Sequence, residues 1–157
     1  MEVLSKRNDI CKYAIIESAL VRPSKLTYSM IKPAFGSCYG LIKQKWFSKL
    51  QFRSLKIRPD LFECYFKDTS AISKKDMIAF LQANSLYSLK ESIKNCTAKV
   101  HIFVGGNENS SMIKSAEDIH RALPQSLLHV LPKWYHGEFS INHSEDYASK
   151  IREIVHD

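Results

Sequence analysis

The sequence lacks the features that mark membrane-spanning and secreted chains. No run of about 18 apolar residues occurs along its 157 residues, so no segment is suited to a transmembrane helix. The first ten residues, MEVLSKRNDI, contain no apolar segment of the kind found in signal peptides. Internal repeats and low-complexity tracts are also absent, and apolar runs recur along the whole length. We therefore expect one globular domain that does not cross a membrane.

The sequence also lacks the paired cysteines of common metal and redox motifs. Its four cysteines are widely spaced and include no Cys-x-x-Cys, so zinc-finger and thioredoxin-type sites are not predicted. Cys11 and Cys96 adjoin predicted strands as ordinary thiols do, which favours a reducing compartment and a cytoplasmic protein. His101 and His129 lie within predicted strands without an evident third ligand. We expect no metal and no cofactor.

A formal net charge of +7 makes the chain modestly basic, but no DNA- or RNA-binding motif accompanies it. We expect no nucleic-acid partner. Residues 43–58 contain six basic residues and no acid, interleaved with Trp46 and Phe47, as in helices that lie on a membrane surface. On a helical wheel, however, the basic positions overlap the apolar ones. A solvated helix face is therefore favoured over a membrane surface.

Three apolar runs predict buried β-strands at residues 13–21, 98–104 and 126–131. Residues 24–96, between the first two strands, have helical spacing and many aromatic residues. Helical patterns also follow the second and third strands, and such strand–helix–strand units imply parallel strands with right-handed crossovers. The predicted architecture is an α/β domain over residues 1–157 with a long helical insertion.

Proline and glycine divide the helical insertion into predicted segments. A helix over residues 25–31 should end before Pro33, because proline cannot supply a helical hydrogen bond. Gly36 and Gly40 then bracket a predicted turn. The buried face of the following helix is predicted from a four-residue repeat at Ile42, Trp46 and Leu50.

An acid and a histidine each follow a predicted strand. Glu108 comes directly after the second strand and Gly105-Gly106, and His136 follows the third strand in the sequence WYHGEF. Functional residues of open parallel sheets gather beyond the carboxyl ends of the strands. There a carboxylate can orient an imidazole whose other nitrogen acts as general base and acid. We predict that Glu108 and His136 are catalytic, with Glu17 as a less favoured alternative acid.

These features resemble the carboxyl-terminal part of the α/β-hydrolases, which include serine esterases, lipases and peptidases. The Gly105-x-x-Glu108 turn resembles the acid turn of that family, and the pair His136-Gly137 resembles its histidine loop. The order of acid before histidine also fits the family. The helical segment 24–96 matches the lid that many members insert before the acid. The resemblance implies a partial α/β-hydrolase fold with about three parallel strands, flanking helices and a lid.

The resemblance also indicates what is missing, because the nucleophile elbow Gly-x-Ser-x-Gly does not occur. By the order of the family, the elbow would precede residues 1–9. We therefore expect a truncated hydrolase that is inactive alone. Residues 36–40 read Gly-x-Cys-x-Gly and make Cys38 a weak candidate nucleophile. An elbow needs a preceding strand, however, and Pro33 argues against one there.

The resemblance implies hydrolysis of a small apolar ester or amide. Aromatic residues of the lid are candidates for the substrate pocket, although core packing also explains them; they are Trp46, Phe47, Phe62, Phe66 and Phe80. The alternative function is a non-catalytic module that binds a ligand or a partner. In either case the edge of strand 13–21 is expected to be exposed and to pair with a second copy or an upstream half.

Overall fold

The computed structural model describes residues 1–156, which form two compact units. The sheet unit comprises Met1–Arg22 and the chain from Ser88 onward, and the helical unit is Pro23–Tyr87. No helix within the described residues is long and apolar enough to cross a membrane. Because each unit has its own internal packing, the two are described separately.

The structure contains three strands and eight α-helices among the described residues. The strands are β1 (Tyr13–Glu17), β2 (Lys99–Gly105) and β3 (Leu127–Leu131). The helices are α1 (Glu2–Lys6), α2 (Lys25–Ile42), α3 (Lys45–Ser54), α4 (Phe62–Ala71), α5 (Lys74–Leu86), α6 (Ser110–Ala122), α7 (Glu138–Asn142) and α8 (Ser144–His156). Two 3₁₀ turns cover Pro59–Leu61 and Glu91–Asn95.

One parallel sheet in the order β1-β2-β3 organises the sheet unit. The last residues of β2 and β3, Gly105 and Leu131, are partners, while Glu17 at the end of β1 lies opposite Phe103. The carboxyl ends of all three strands therefore lie at one edge of the sheet. The predicted α/β class, with three parallel strands flanked by helices, is confirmed.

Strand β2 is the centre of the sheet unit and is buried on both faces. Val100, Ile102 and Val104 are each 1% exposed, and α6 packs against this strand. On the opposite face, Phe103 packs in a core cluster with Phe139. Burial on both faces explains why β2 appears in the sequence as a nearly continuous apolar run.

Strand β1 is shorter than predicted, because it ends at Glu17 and not at Val21. Ser18 has a φ of 52°, in the left-handed region, so the extended conformation cannot continue through it. Beyond this point Val21 donates its N–H to the Ser115 hydroxyl at 3.2 Å and not to a strand. The apolar run 19–21 is therefore a connection, of which Val21 is buried.

The helical unit consists of two packed helix pairs, with α2 against α5 and α3 against α4. The ring of Phe52 on α3 lies 5.5 Å from that of Phe62 and 5.0 Å from that of Tyr65 on α4. Helix α5 begins with a capping box variant, in which the Ser73 hydroxyl accepts the N–H of Asp76 and donates to its carboxylate.

The predicted end of the first insertion helix before Pro33 and the predicted turn at Gly36–Gly40 are wrong. Helix α2 continues through all three residues to Ile42, and neither glycine has a positive φ. Pro33 removes one hydrogen-bond donor, but packing along α5 outweighs this loss, as tertiary contacts commonly do. The Lys74 ammonium also donates to the Gly36 carbonyl at 2.7 Å.

The predicted buried face of the next helix is also wrong. Ile42 is the last residue of α2, and α3 starts three residues later with a new orientation. Helix α3 buries Ser48 and Phe52, whereas Trp46 and Leu50 are 66% and 61% exposed. A repeat that crosses a helix break does not describe one face, since each helix sets its own direction.

Candidate active site

Glu108 and His136, 28 residues apart in the sequence, are in direct contact. The His136 Nδ1 atom lies 2.9 Å from Glu108 Oε2, and the carboxylate side chain is fully buried. Because the carboxylate can only accept, Nδ1 carries the hydrogen in the neutral ring and Nε2 is the basic nitrogen. The histidine side chain is 65% exposed, and within residues 1–156 Nε2 has no hydrogen-bond partner.

The buried carboxylate of Glu108 is compensated by donors on both oxygens. Its Oε1 atom accepts the N–H of Gly105 at 2.8 Å and the hydroxyl of Ser18 at 2.7 Å. Its Oε2 atom contacts the imidazole of His136. A buried charge is tolerated only when such hydrogen bonds replace water, and here they also fix the direction of the carboxylate.

Backbone hydrogen bonds tie the acid turn to the histidine loop (residues 132–137). Gly106 donates to the Leu131 carbonyl at 2.8 Å, and Asn107 donates its backbone N–H to Trp134 at 2.9 Å. The Asn107 side chain donates to the Lys133 carbonyl at 2.7 Å. The relative position of acid and histidine therefore depends on main-chain contacts more than on flexible side chains.

Gly105 lies where the strand end and the histidine loop come closest. A Cβ atom at this position would lie 2.3 Å from the carbonyl oxygen of Trp134 and 2.9 Å from that of Tyr135. Backbone atoms cannot move aside as the end of a side chain can. Glycine is thus the residue that permits this approach.

Ser18 belongs to the site, although the sequence analysis did not identify it. It follows β1 directly, with its hydroxyl donating to Glu108 and accepting the N–H of Gly137 at 3.2 Å. The predicted strand 13–21 included this position and so concealed it. A polar residue at the end of an apolar run, the signal that identified Glu108, was present here too.

Glu17, the alternative acid, points to another partner. Its Oε1 atom accepts the N–H of Ser140 in α7 at 3.3 Å, and it does not contact His136. Of the two acids considered from the sequence, the structure brings only Glu108 to the histidine.

The five aromatic candidates for a substrate pocket all belong to the helical unit. Trp46 is 66% exposed, with its ring edge against Phe47, and Phe80 is 65% exposed. Phe62 and Phe66 stack on each other with ring centres 6.1 Å apart. A cleft of about 330 Å³ is lined by Lys49, Phe52, Arg53, Ile57, Pro59 and Phe62.

Cys38 lies within α2 and is exposed. The residues on both sides are helical, so no strand precedes it and no strand-to-helix elbow forms there. Its Sγ atom lies 3.6 Å from the Ser37 hydroxyl, and no basic group contacts it within residues 1–156.

His101 and His129 stack on adjacent strands, with His101 Nδ1 lying 3.3 Å from His129 Nε2. Burial lowers the pKa of His129, and the neighbouring His101 lowers it further. No group of three or more histidine, cysteine or acidic side chains in the described part of the chain is arranged to hold a metal ion.

No protein-family model matches the chain, and no curated protein sequence matches it. Solved structures do match. The chain is similar to a thermophilic esterase from Thermogutta terrifontis, with a TM-score of 0.70, 17% sequence identity, and coverage of 98% of this chain and 58% of that chain. The chain adopts part of the α/β-hydrolase fold.

Two further structures support this assignment. A carboxylesterase of the thaumarchaeon Nitrososphaera gargenis matches 98% of this chain and 59% of its own, with a TM-score of 0.69 and 13% identity. An esterase from Exiguobacterium antarcticum matches 93% and 57%, with a TM-score of 0.69 and 16% identity. The chain therefore spans just under three fifths of these α/β-hydrolase structures, and the resemblance inferred from its sequence is confirmed at the level of the fold.

Proposed function

We propose that Glu108 and His136 are the acid and base of a hydrolase that cleaves ester or amide bonds of small apolar substrates. The contact between their side chains beyond the ends of parallel strands is the observation that supports the proposal most directly. His136 Nε2 takes the proton of an attacking hydroxyl and later gives it to the leaving group. Glu108 stabilises the imidazolium that forms between these steps.

The nucleophile of this reaction must come from elsewhere. Within residues 1–156, no serine or cysteine is hydrogen-bonded to His136 Nε2. The Ser18 hydroxyl donates to Glu108, so in this geometry the histidine does not activate it. We propose that the serine and the oxyanion-hole donors belong to a segment or chain that corresponds to the additional length of the matched hydrolases. The present chain alone is then inactive.

The acid–base contact can be tested on the chain itself by nitrogen-15 NMR of its histidines. We expect the His136 ring to carry its hydrogen on Nδ1, since the carboxylate holds it there. Glu108→Gln should weaken this preference, whereas the control Glu17→Gln should leave it unchanged, because Glu17 contacts Ser140 instead. A ring that carries its hydrogen on Nε2 in the unsubstituted protein would contradict the proposal.

The hydrolytic role has to be tested on the protein as its source cells make it. His136→Ala introduced into the gene should lower hydrolysis of p-nitrophenyl butyrate by that purified product at least about a thousandfold. The control is His156→Ala, at the exposed end of α8. A fluorophosphonate probe should label a serine in the same material. Unchanged turnover in the His136 variant would exclude this residue as the base.

A partner-binding module is the second candidate function, and the edge of β1 is the observation that favours it. This strand pairs with β2 on one side, and no strand among the described residues pairs with its other side. Unpaired strand edges accept strands of other chains. Light scattering should detect a dimer or larger assembly as concentration rises, with slowed hydrogen exchange of the β1 amides. A monomer at all concentrations would argue against self-pairing.

A further inference from the structure

The helical unit carries the entire net charge of the protein. Pro23–Tyr87 contains eleven lysine and arginine residues against four acidic residues, a net charge of +7, while the rest of the sequence contains twelve of each. A charge confined to one unit directs that unit towards anionic surfaces.

Helix α3 is one of the helices of this unit that present large apolar residues outward. Helix α3 is anchored by its buried residues Ser48 and Phe52, while Trp46 and Leu50 lie on the opposite side and are mostly exposed. Successive residues of a helix are separated by about 100°, so Trp46 and Leu50 are adjacent on the outer face. Contiguous apolar side chains at exposed positions are typical of surfaces that bind lipid or protein.

Basic side chains border these two apolar residues. Lys49 and Arg53 lie at the edge of this outer face, beside the cleft that they line with Phe52, and neither is paired with an acid in the part of the chain that the structure describes. Lys45, by contrast, is bound to Glu63 at 2.8 Å. Two free positive charges thus flank an exposed tryptophan and leucine on one face of one helix.

We propose that α3 docks the protein onto an anionic lipid surface. Trp46 and Leu50 enter the boundary between headgroups and acyl chains, where an indole ring is well accommodated, and Lys49 and Arg53 bind lipid phosphates. Duplex nucleic acid would satisfy the charges but offers no apolar region for the exposed tryptophan and leucine beside them. The overlap of basic and apolar positions, which favoured a solvated face from sequence alone, corresponds in the structure to Lys49 and Arg53 at the edge of the face that Trp46 and Leu50 occupy.

Cosedimentation of the full chain with lipid vesicles tests the proposal. We expect binding to phosphatidylcholine vesicles that contain about one third phosphatidylserine, and weak or no binding to phosphatidylcholine alone. Trp46→Ala with Leu50→Ala should lower the affinity at least about tenfold. Lys49→Glu with Arg53→Glu should lower it about twentyfold or more, since each basic residue near such a surface contributes about a fivefold change.

Matched variants separate a docking face from net charge and general apolarity. Lys32→Glu with Lys75→Glu makes the same charge change at exposed positions on α2 and α5, and Phe80→Ala removes a ring as exposed as that of Trp46. Both controls should bind nearly as well as the unsubstituted protein. Equal losses in the control variants would overturn the proposal, as would full binding after loss of Trp46 and Leu50. So would binding to duplex RNA or DNA with no binding to anionic vesicles.

Discussion

The sheet unit and the helical unit differ in how closely each residue is held. In the sheet unit, a side chain at Gly105 would meet backbone atoms at 2.3 Å, and β2 is buried on both faces. In the helical unit, a side chain at Gly36 or Gly40 would meet nothing within 4 Å, and Trp46 remains exposed. The candidate acid–base pair therefore lies in the unit that tolerates few added side-chain atoms, while substitutions on the surface of the helical unit should change stability little.

The two units also differ in the charged groups they contain. All six histidines belong to the sheet unit, and the whole net charge of +7 belongs to the helical unit. His129, the histidine whose pKa is lowered, therefore lies in the sheet unit. A change of salt acts mainly on the interactions of the helical unit, because salt screens exposed charges.

The largest difference between the units is expected for glycine substitutions. Gly105→Ala should lower the free energy of unfolding by about 3 kcal/mol, because the new methyl group collides with the Trp134 carbonyl. Gly36→Ala is the matched control and should raise it by about 0.5–1 kcal/mol, since it lies in an open helical position. Urea unfolding of both variants checks this. Equal changes in the free energy of unfolding would mean that the two units tolerate an added methyl group equally.

A smaller effect is expected for Ser18, which tests how closely the site is held. Ser18→Ala should destabilise the protein by about 1–2 kcal/mol, because Glu108 loses a donor and Gly137 loses an acceptor. Ser18→Gly loses the same hydroxyl but relieves the φ of 52°, so it should be about 1 kcal/mol more stable than the alanine variant. Urea unfolding measures both. If glycine gave no advantage, backbone strain at this position would be refuted.

The smallest expected effect is the dependence of folding stability on pH. The pKa of His129 is lowered by burial and by His101, while Lys150 lowers it and Glu153 raises it through their charges. Unfolded histidine has a pKa of about 6.5, so below this pH the unfolded state binds more protons and stability falls until the folded pKa is reached. We expect lower stability at pH 5.5 than at pH 7.5, and a weaker dependence in His129→Gln.

Each unit contains one tryptophan, which allows the pH effect to be located. Trp46→Phe leaves Trp134 as the reporter of the sheet unit, and Trp134→Phe leaves Trp46 as the reporter of the helical unit. The urea concentration at the midpoint of unfolding, detected by fluorescence, should change with pH for the Trp134 reporter and remain constant for the Trp46 reporter. A common shift would show that the units unfold together, and the distinction between them would then hold only for the native state.

Sequence patterns predicted the sheet unit better than the helical unit for a physical reason. A central parallel strand is buried on both faces, so its apolar run is visible without knowledge of its neighbours. Helix α3, in contrast, buries Ser48 and exposes Trp46, against the usual preference of both residues. The buried face of such a helix depends on the direction of its partner, which the local sequence does not contain.

By itself the sequence determined the three parallel strands and the acid and histidine that follow two of them. Apolar runs define buried strands, and parallel strands bring their carboxyl ends to one edge, so Glu108 and His136 were expected there. Only the tertiary structure decided that α2 continues through Pro33, which face of α3 is exposed, and that Ser18 joins the site. Each of these depends on groups distant in the chain: α5 beside α2, α4 beside α3, and Glu108 lying 90 residues beyond Ser18.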